Sequence, residues 1–176
     1  MDSGYVHLAT LSDGQRVGSN MNHFIQCFGK HEKNTYLQTK QKVFEELKKI
    51  DFSNIRVLIL ERLKNVKKNK RGMFSRKHNR RLSHWLYAKT TQWLEQHCEE
   101  LGVGIEYKSP YKTSQYCRLC GKWDKRNRKG EKFECVHCGH IENADYNASK
   151  NLELLGLAGV YSLRLLPSSF YRNRIL

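Results

Sequence analysis

The sequence predicts an α/β fold, and three features of the chain carry this prediction. Residues 55–60 form an apolar, partly β-branched run that ends at Glu61, as is typical of a strand buried inside an α/β sheet. Apolar side chains recur at helical spacing over residues 38–50 and again over 82–101, where Gly102 follows as a helix-ending residue. Strands and helices that alternate in this way predict a mixed sheet covered by helices.

The remaining elements complete this pattern. The first 17 residues alternate short apolar pieces around a Ser-Asp-Gly turn at 12–14, and they predict a hairpin whose two strands open the fold. Residues 103–107 predict a further strand, and residues 144–155 predict a last helix. Residues 112–141 are polar and contain four cysteines, so we expect them to form a separate small unit.

The charge of the chain indicates a polyanionic partner. Among 176 residues, 32 Lys and Arg face 17 Asp and Glu, which leaves a formal net charge of +15. A protein with this surplus collects nucleic acid at ordinary salt concentrations, so we expect DNA or RNA as the partner. The sequence shows neither an apolar run of the ~20 residues that a membrane helix needs nor a secretory signal pattern, so we expect no membrane partner and a cytoplasmic location.

Much of the positive charge lies in one short segment. Residues 62–81 carry ten basic residues and no acidic one, and such a run rarely packs in a core. The alternative to a phosphate-binding role is a merely solvated face. We predict that nine of these residues bind nucleic acid: Lys64, Lys67, Lys68, Lys70, Arg71, Arg76, Lys77, Arg80 and Arg81.

Two CxxC pairs give the most specific local signal in the chain. They read Cys117-Arg-Leu-Cys120-Gly and Cys135-Val-His-Cys138-Gly, with 14 residues between them. Four thiolates at this spacing predict a closed tetrahedral shell around a structural zinc ion. Two disulfides are disfavoured in a chain without an export signal, and a thioredoxin-type redox site uses one pair of cysteines instead of two.

The stretch between the cysteine pairs mixes basic and aromatic residues. Such a mixture suits phosphate contacts together with base stacking, for which Trp123 and Phe133 are the candidate side chains. A solvated loop is the alternative interpretation. The candidate nucleic-acid-binding residues that we select here are Lys125, Arg126 and Arg128.

Three carboxylates, Asp2, Glu61 and Asp145, stand at the ends of predicted elements although they are far apart in the sequence. Hydrolysis of a phosphodiester with two divalent metal ions needs several hard oxygen ligands around ions that lie ~3.5–4 Å apart. Strand ends and a helix start that meet at one sheet edge bring carboxylates together in this way. From spacing alone, however, a surface or capping role remains the default for each residue.

Specific motifs surround these carboxylates and cysteines. They are Asp2-Ser-Gly4, Leu58-Ile-Leu-Glu61-Arg-Leu-Lys64, the two cysteine knuckles with Asn127-Arg128 between them, and Asn143-Ala-Asp145-Tyr-Asn147 with Asn151. In this order, and over nearly the whole chain, they resemble the RuvC motifs and the carboxyl-terminal signature of the TnpB-type transposon nucleases and the small type V CRISPR effectors.

The resemblance implies an RNase H-like (RuvC) mixed sheet with flanking helices over residues 1–111 and 142–176. It also implies that residues 112–141 are an inserted zinc ribbon, the target nucleic-acid-binding insert of the family. Asp2, Glu61 and Asp145 are then the ligands of catalytic magnesium or manganese. In that family the enzyme is guided by an RNA from the transposon end and cuts DNA, so guide RNA is a further expected partner and transposition and DNA recombination are the expected context.

Two features depart from the pattern of that family. Its amino-terminal wedge and recognition region has no counterpart in this sequence, and Asp2 follows only Met1. We therefore expect a truncated form of a RuvC-like, metal-dependent DNA endonuclease. The alternative hypothesis is a nucleic-acid-binding zinc-ribbon protein without nuclease activity, either a regulator or a decayed fragment. A ribosome-associated zinc-ribbon protein would fit the charge but not the three RuvC-like motifs.

Overall fold

The predicted α/β class is confirmed by a computed structural model, which describes residues 1–4, 7–19, 21, 35–62 and 87–160. The helices within these residues are α1 (Thr35–Leu47), α2 (Tyr87–Leu101) and α3 (Ala144–Val160). The strands are β1 (Asp2–Ser3), β2 (Ala9–Thr10), β3 (Arg16–Val17), β4 (Val57–Glu61), β5 (Gly104–Lys108), β6 (Arg128–Lys129), β7 (Lys132–Glu134) and β8 (Ile141–Asn143).

The central strands form one antiparallel and one parallel group that lie side by side. Strands β1, β2 and β3 pair antiparallel in that order, and β4 pairs parallel with β5, with Glu61 opposite Lys108. The amino group of Met1 donates a hydrogen bond of 2.7 Å to the carbonyl oxygen of Ile59, so β1 lies beside β4. The strands therefore lie in the order β3, β2, β1, β4, β5. This order combines antiparallel and parallel neighbours, as in the predicted mixed sheet.

The beginning of the chain differs from the expected two-stranded hairpin. The predicted turn at 12–14 does connect two strands, β2 and β3, and a hydrogen bond of 2.9 Å from the Leu11 amide to the Gln15 carbonyl closes it. A third strand, β1, pairs with β2 on the other side, with Asp2 opposite Thr10. The sequence prediction missed this division because strands of two residues are too short to show an alternating pattern.

The helices are close to their predicted positions. Helix α1 begins and ends three residues before the predicted range 38–50, and α3 extends five residues beyond the predicted 155. Gly102 has a φ of 68° and ends α2, where the Val103 amide bonds back to the Cys98 carbonyl at 2.8 Å. The predicted start of α2, residues 82–86, lies outside the described residues. No helix in the described ranges is long and apolar enough to cross a membrane.

The main core lies between the sheet and the helices α1 and α2. Val43 and Leu47 of α1 and Leu94 and Cys98 of α2 are fully buried together with Leu58 and Leu60 of β4. Strand β4 is not buried on both faces along its whole length as predicted, since Val57 is 48% exposed at its start. Burial increases toward Glu61, which is 7% exposed, so the strand carries this carboxylate into the interior.

Helix α3 joins the main sheet to a second small unit. It contacts β1, β4 and β5 on one side and β7 and β8 on the other. Strands β6, β7 and β8 form an antiparallel sheet of their own. We call residues 112–143 the ribbon, because they contain this sheet and the four cysteines of the two CxxC pairs. The ribbon has a small core in which Phe133 and Ala144 pack with cysteines.

Gly156 sets the distance between α3 and β4. A Cβ atom at this position would lie 2.0 Å from Cδ1 and 2.9 Å from Cγ1 of Ile59. The helix backbone thus rests directly on the Ile59 side chain, and only glycine permits this approach without moving one of the two elements.

We expect Gly156→Ala to destabilise the protein by about 1–3 kcal/mol, because overpacking against Ile59 outweighs the ~1 kcal/mol that alanine normally contributes in a helix. Urea unfolding measures this difference. The double variant Ile59→Ala/Gly156→Ala is the control, because it makes room for the added methyl group. If Gly156→Ala is as destabilising in the Ile59→Ala background as in the unchanged chain, the close approach is not the cause.

Candidate functional site

The structure brings Asp2, Glu61 and Asp145 together. The side chains of Asp2 and Glu61 share a hydrogen bond, and the charge of Asp145 acts on both of them. Asp2 lies in β1, Glu61 is the last residue of β4, and Asp145 stands in the first turn of α3. The packing of β1 beside β4, with α3 across both, is therefore what makes one cluster from three distant residues.

Asn143 fixes the start of α3 and with it the position of Asp145. Its side-chain oxygen Oδ1 accepts hydrogen bonds from the amides of Asp145 at 3.0 Å and Tyr146 at 3.1 Å. An asparagine in this position caps the free amides of the first helical turn. Because Asn143 is the cap, the Asp145 side chain, which is 7% exposed, does not serve this purpose.

The cluster is strongly perturbed because it concentrates negative charge away from water. Burial, and after it the charge of Asp2, raises the pKa of Glu61 to about 9. Burial also raises the pKa of Asp2 to about 6, although the hydrogen bond from Glu61 works in the opposite direction. Without a cation, the pair therefore holds a proton between its carboxyl groups near neutral pH.

Arg128 of the ribbon reaches into this cluster. Its Nη2 lies 3.1 Å from Oδ1 of Asp145, its Nε donates to the Gly130 carbonyl oxygen at 3.0 Å, and its charge acts on Asp2. We predicted Arg128 to be one of several phosphate-binding residues on the ribbon. Its place beside Asp145 gives the ribbon a direct contact with the carboxylates, which nothing in the sequence indicated.

The donor set of the cluster fits hard divalent cations. Carboxylate oxygens are the ligands that Mg²⁺ and Mn²⁺ prefer, and the buried excess of negative charge, which here retains a proton, would be neutralised by such ions. Among the described residues, only the four paired cysteines place ligand atoms all within 4.8 Å of one another. The three carboxylates do not form a group as compact as this one.

The four cysteines of the ribbon form a compact group of thiols. The sulfur atoms of Cys117 and Cys138 are 3.7 Å apart, and those of Cys120 and Cys135 are 3.6 Å apart. A tetrahedron with Zn–S bonds of ~2.3 Å places its sulfurs roughly 3.8 Å from one another, whereas a disulfide requires ~2.05 Å. The arrangement therefore fits a zinc ion, and the alternative pairing into disulfides does not occur.

Matching turns present the two cysteine pairs. Gly121 and Gly139 follow the second cysteine of each pair with φ angles of 68° and 73°. Their amides donate to the carbonyl oxygens of Cys117 at 2.8 Å and Cys135 at 2.9 Å, which closes each knuckle. A side chain at either glycine would be strained, so the residue type is a requirement of the turn.

Buried asparagines attach the ribbon to α3. The Nδ2 atoms of Asn147 and Asn151, one helical turn apart, donate to the Tyr116 carbonyl oxygen at 2.7 and 2.9 Å. Within the ribbon, Asn127 bonds through Nδ2 to the Gln115 carbonyl at 2.9 Å and through Oδ1 to an amide of the second knuckle. Reasoning from residue types missed these roles, although two asparagines four positions apart in a helix are a usable signal, because asparagine is a poor helix former.

The exposed face of the ribbon carries a tryptophan held in a fixed orientation. Trp123 is 39% exposed, its indole N–H donates to Gln115 Oε1 at 3.1 Å, and the Lys112 ammonium lies 3.6 Å from its ring centroid. Lys125 and Arg126 are exposed nearby in sequence, and Arg126 pairs with Asp124 at 2.7 Å. Phe133, the other predicted stacking residue, is fully buried as the core of the ribbon, so that part of the prediction was wrong.

The basic segment adjoins the cluster in the chain, but its structure is not described. Arg62 directly follows Glu61, and its amide bonds to the Lys108 carbonyl at 2.8 Å. The nine predicted nucleic-acid-binding residues of this segment, from Lys64 to Arg81, lie outside the described residues.

Comparison with known proteins confirms the resemblance. Residues 87–152 match the family model of the Cas12f1-like TNB domain. The chain is 39% identical over 77 residues to the CRISPR-associated endodeoxyribonuclease Cas12f1 of Sulfoacidibacillus thermotolerans, covering 43% of this chain and 18% of that protein. It is 32% identical over 105 residues to a TnpB-like protein of Aquifex aeolicus (strain VF5), covering 58% of this chain and 34% of the relative.

Among solved structures, a cryo-EM structure of a Cas12f1-sgRNA-target DNA complex aligns with 74% of this chain and 33% of its own, at 23% identity and a TM-score of 0.41. The chain spans about a third or less of the length of the curated relatives named above. The TNB domain model matches residues 87–152, so this similarity lies in the carboxyl-terminal half of the chain.

We expect the purified protein to contain one zinc ion per chain, because the four sulfurs already stand at tetrahedral spacing and the ribbon has little apolar core without the metal. Elemental analysis by plasma mass spectrometry measures the ratio. Cys135→Ser should lower it well below one and unfold the ribbon. The buried Cys98, which lies in the main core away from the ribbon, provides the matched control, and Cys98→Ser should leave the zinc content unchanged. Protein prepared without chelator that contains no zinc would contradict the assignment.

Proposed function

We propose that this chain is a RuvC-like, metal-dependent DNA endonuclease of TnpB-type transposon origin. The observation that carries the proposal is the convergence of Asp2, Glu61 and Asp145, drawn from two strands and a helix, into one buried cluster. In this proposal residues 1–111 and 142–176 form the RuvC domain. Residues 112–141, which are the ribbon without its last two residues, form the inserted nucleic-acid-binding zinc domain.

Each part of the cluster has a distinct role in this proposal. Asp2, Glu61 and Asp145 would hold magnesium or manganese ions, and such ions activate water and stabilise the leaving oxygen of a phosphodiester. Asp2 and Glu61 would hold such an ion in their deprotonated form, so their shared proton would leave to solvent. Arg128, whose guanidinium lies 3.1 Å from Asp145, is close enough to turn toward a phosphate group of the bound strand.

The buried charge itself supports a functional role for the cluster. Neighbouring carboxylates with one arginine beside them reduce stability, because burial and mutual repulsion both oppose ionisation. A purely structural cluster has no need for a third acid. Groups of perturbed acids of this kind are typical of catalytic and metal-binding sites.

Two basic parts of the chain would bind nucleic acid. The ribbon offers Lys125 and Arg126 for phosphate contacts and Trp123 for stacking, and the basic segment 62–81 adds further phosphate contacts. DNA is the substrate in this proposal, as the name of the endodeoxyribonuclease relative suggests. A guide RNA is the second partner in this proposal, by the similarity to TnpB-type proteins and small type V effectors.

The second candidate function is a nucleic-acid-binding zinc-ribbon protein without nuclease activity. It is favoured by the family match over residues 87–152, which covers the ribbon and the first nine residues of α3 but not the strands that carry Asp2 and Glu61. Binding without cleavage in the experiments below would establish this function in place of the first.

We expect Mg²⁺- or Mn²⁺-dependent cleavage of single-stranded DNA that is lost almost completely, on the order of 10³-fold, in Glu61→Gln, Asp2→Asn or Asp145→Asn, because the ligands act as a unit. Glu61→Gln should fold about as stably as the unchanged chain without metal, since the amide replaces a carboxyl group whose pKa is raised to about 9 and which is therefore already neutral near pH 7. Gel assays of a labelled oligonucleotide measure cleavage.

The control is Glu45→Gln, which makes the same substitution at an exposed side chain on α1. It should cleave DNA like the unchanged chain. Cleavage that survives Glu61→Gln would overturn the nuclease proposal.

We expect Trp123→Ala to weaken binding of single-stranded DNA by roughly 5- to 150-fold, the ~1–3 kcal/mol of one stacked base, without changing the dependence on salt. Lys125→Ala should instead reduce the salt slope by roughly 0.7, as for one lost phosphate contact on a single strand. Fluorescence anisotropy at several salt concentrations separates the two effects. Leu119→Ala, at an apolar residue of the ribbon that is 59% exposed, is the matched control. Equal losses in Trp123→Ala and Leu119→Ala would show that no base stacks on Trp123.

A further inference from the structure

The hydroxyl group of Tyr87 is hydrogen bonded to the main chain of Glu61. Tyr87 is the first residue of α2, and its Oη donates to the carbonyl oxygen of Glu61, the last residue of β4. The two residues are 26 positions apart in the chain, so this contact joins the start of a helix to the end of a strand.

Glu61 needs such a support because it stands where the strand pairing ends. The ladder between β4 and β5 runs from Val57 to Glu61, and among the described residues a hydrogen bond from the Arg62 amide to the Lys108 carbonyl follows it. Strand ends tend to fray, whereas a metal-binding carboxylate must be held within ~0.5 Å of its working position. A hydrogen bond to its own carbonyl restricts the backbone torsion angles that aim the side chain.

A second tyrosine makes a comparable contact that does not involve Glu61. The Tyr107 hydroxyl, on β5, donates to Glu95 Oε1 of α2 at 2.5 Å. Burial, and then this hydrogen bond, raises the pKa of Tyr107, so its hydroxyl stays protonated and able to donate. Both tyrosines thus fasten α2 to the sheet, but only Tyr87 is bonded to a residue of the carboxylate cluster.

We propose that Tyr87 is a positioning residue that holds Glu61 in place for metal binding. The inference rests on the proposed function, in which Glu61 is a metal ligand. Tyr87 would act only through its hydrogen bond to the Glu61 backbone, and it would not itself bind metal or substrate.

The test compares Tyr87→Phe with Tyr107→Phe in the full chain loaded with zinc. Each variant removes one hydroxyl that ties α2 to the sheet, so urea unfolding should show similar, modest losses of stability. Mn²⁺ affinity, measured by the electron paramagnetic resonance signal of free Mn²⁺, should fall roughly tenfold in Tyr87→Phe, as for other residues that orient a metal ligand. In Tyr107→Phe it should stay within twofold of the unchanged chain.

Glu61→Gln separates the possible outcomes. If Glu61→Gln binds as much Mn²⁺ as the unchanged chain, or if neither binds any, both the proposed function and the role of Tyr87 are overturned. If Glu61→Gln removes Mn²⁺ binding but Tyr87→Phe binds Mn²⁺ as tightly as the unchanged chain, only the positioning role is overturned. Equal losses of affinity in Tyr87→Phe and Tyr107→Phe also overturn it, since the effect would then follow from the attachment of α2 alone.

Discussion

The attachment of the ribbon to α3 by Asn147 and Asn151 is the interaction on which the rest of the structure depends. Both amides converge on the carbonyl oxygen of Tyr116, just before the first cysteine knuckle. All three residues are fully buried, and both amides also donate to the carbonyl oxygen of Thr113, so the contact satisfies main-chain acceptors in the interior. Because the same helix carries Asp145 and rests on β4 through Gly156, this contact fixes the ribbon relative to the carboxylate cluster.

Arg128 occupies its position as a consequence of that attachment. The ribbon is held against the start of α3, so a side chain on β6 reaches Asp145. Its guanidinium offsets part of the negative charge of Asp145 and Asp2. The ribbon and the main sheet are therefore coupled electrostatically as well as sterically. A substitution that displaces Arg128 changes the charge around the carboxylates.

The main sheet shows how a small α/β unit tolerates so much buried charge. Apolar residues such as Leu58 and Leu60 fill the interior along β4, and the polar end of the strand is confined to Glu61 and its neighbours. Hydrogen bonds at this end come from the backbone of β5 and from Tyr87. The apolar core thus supports a group of acids whose ionisation is opposed by burial and by their mutual repulsion.

The amino-acid sequence by itself determined those helices, turns and metal-binding motifs whose residues are close together in the chain. The periodic apolar residues of α1 and α2, the glycine that ends α2 and the spacing of the four cysteines were readable because each depends on neighbours within a few positions. Resemblance of motifs then selected Asp2, Glu61 and Asp145 from 17 acidic residues. Only the tertiary structure decided which side chains surround them. Arg128 beside Asp145, Tyr87 on the backbone of Glu61 and the burial of Phe133 all arise from packing between distant segments, for which the chain carries no local pattern.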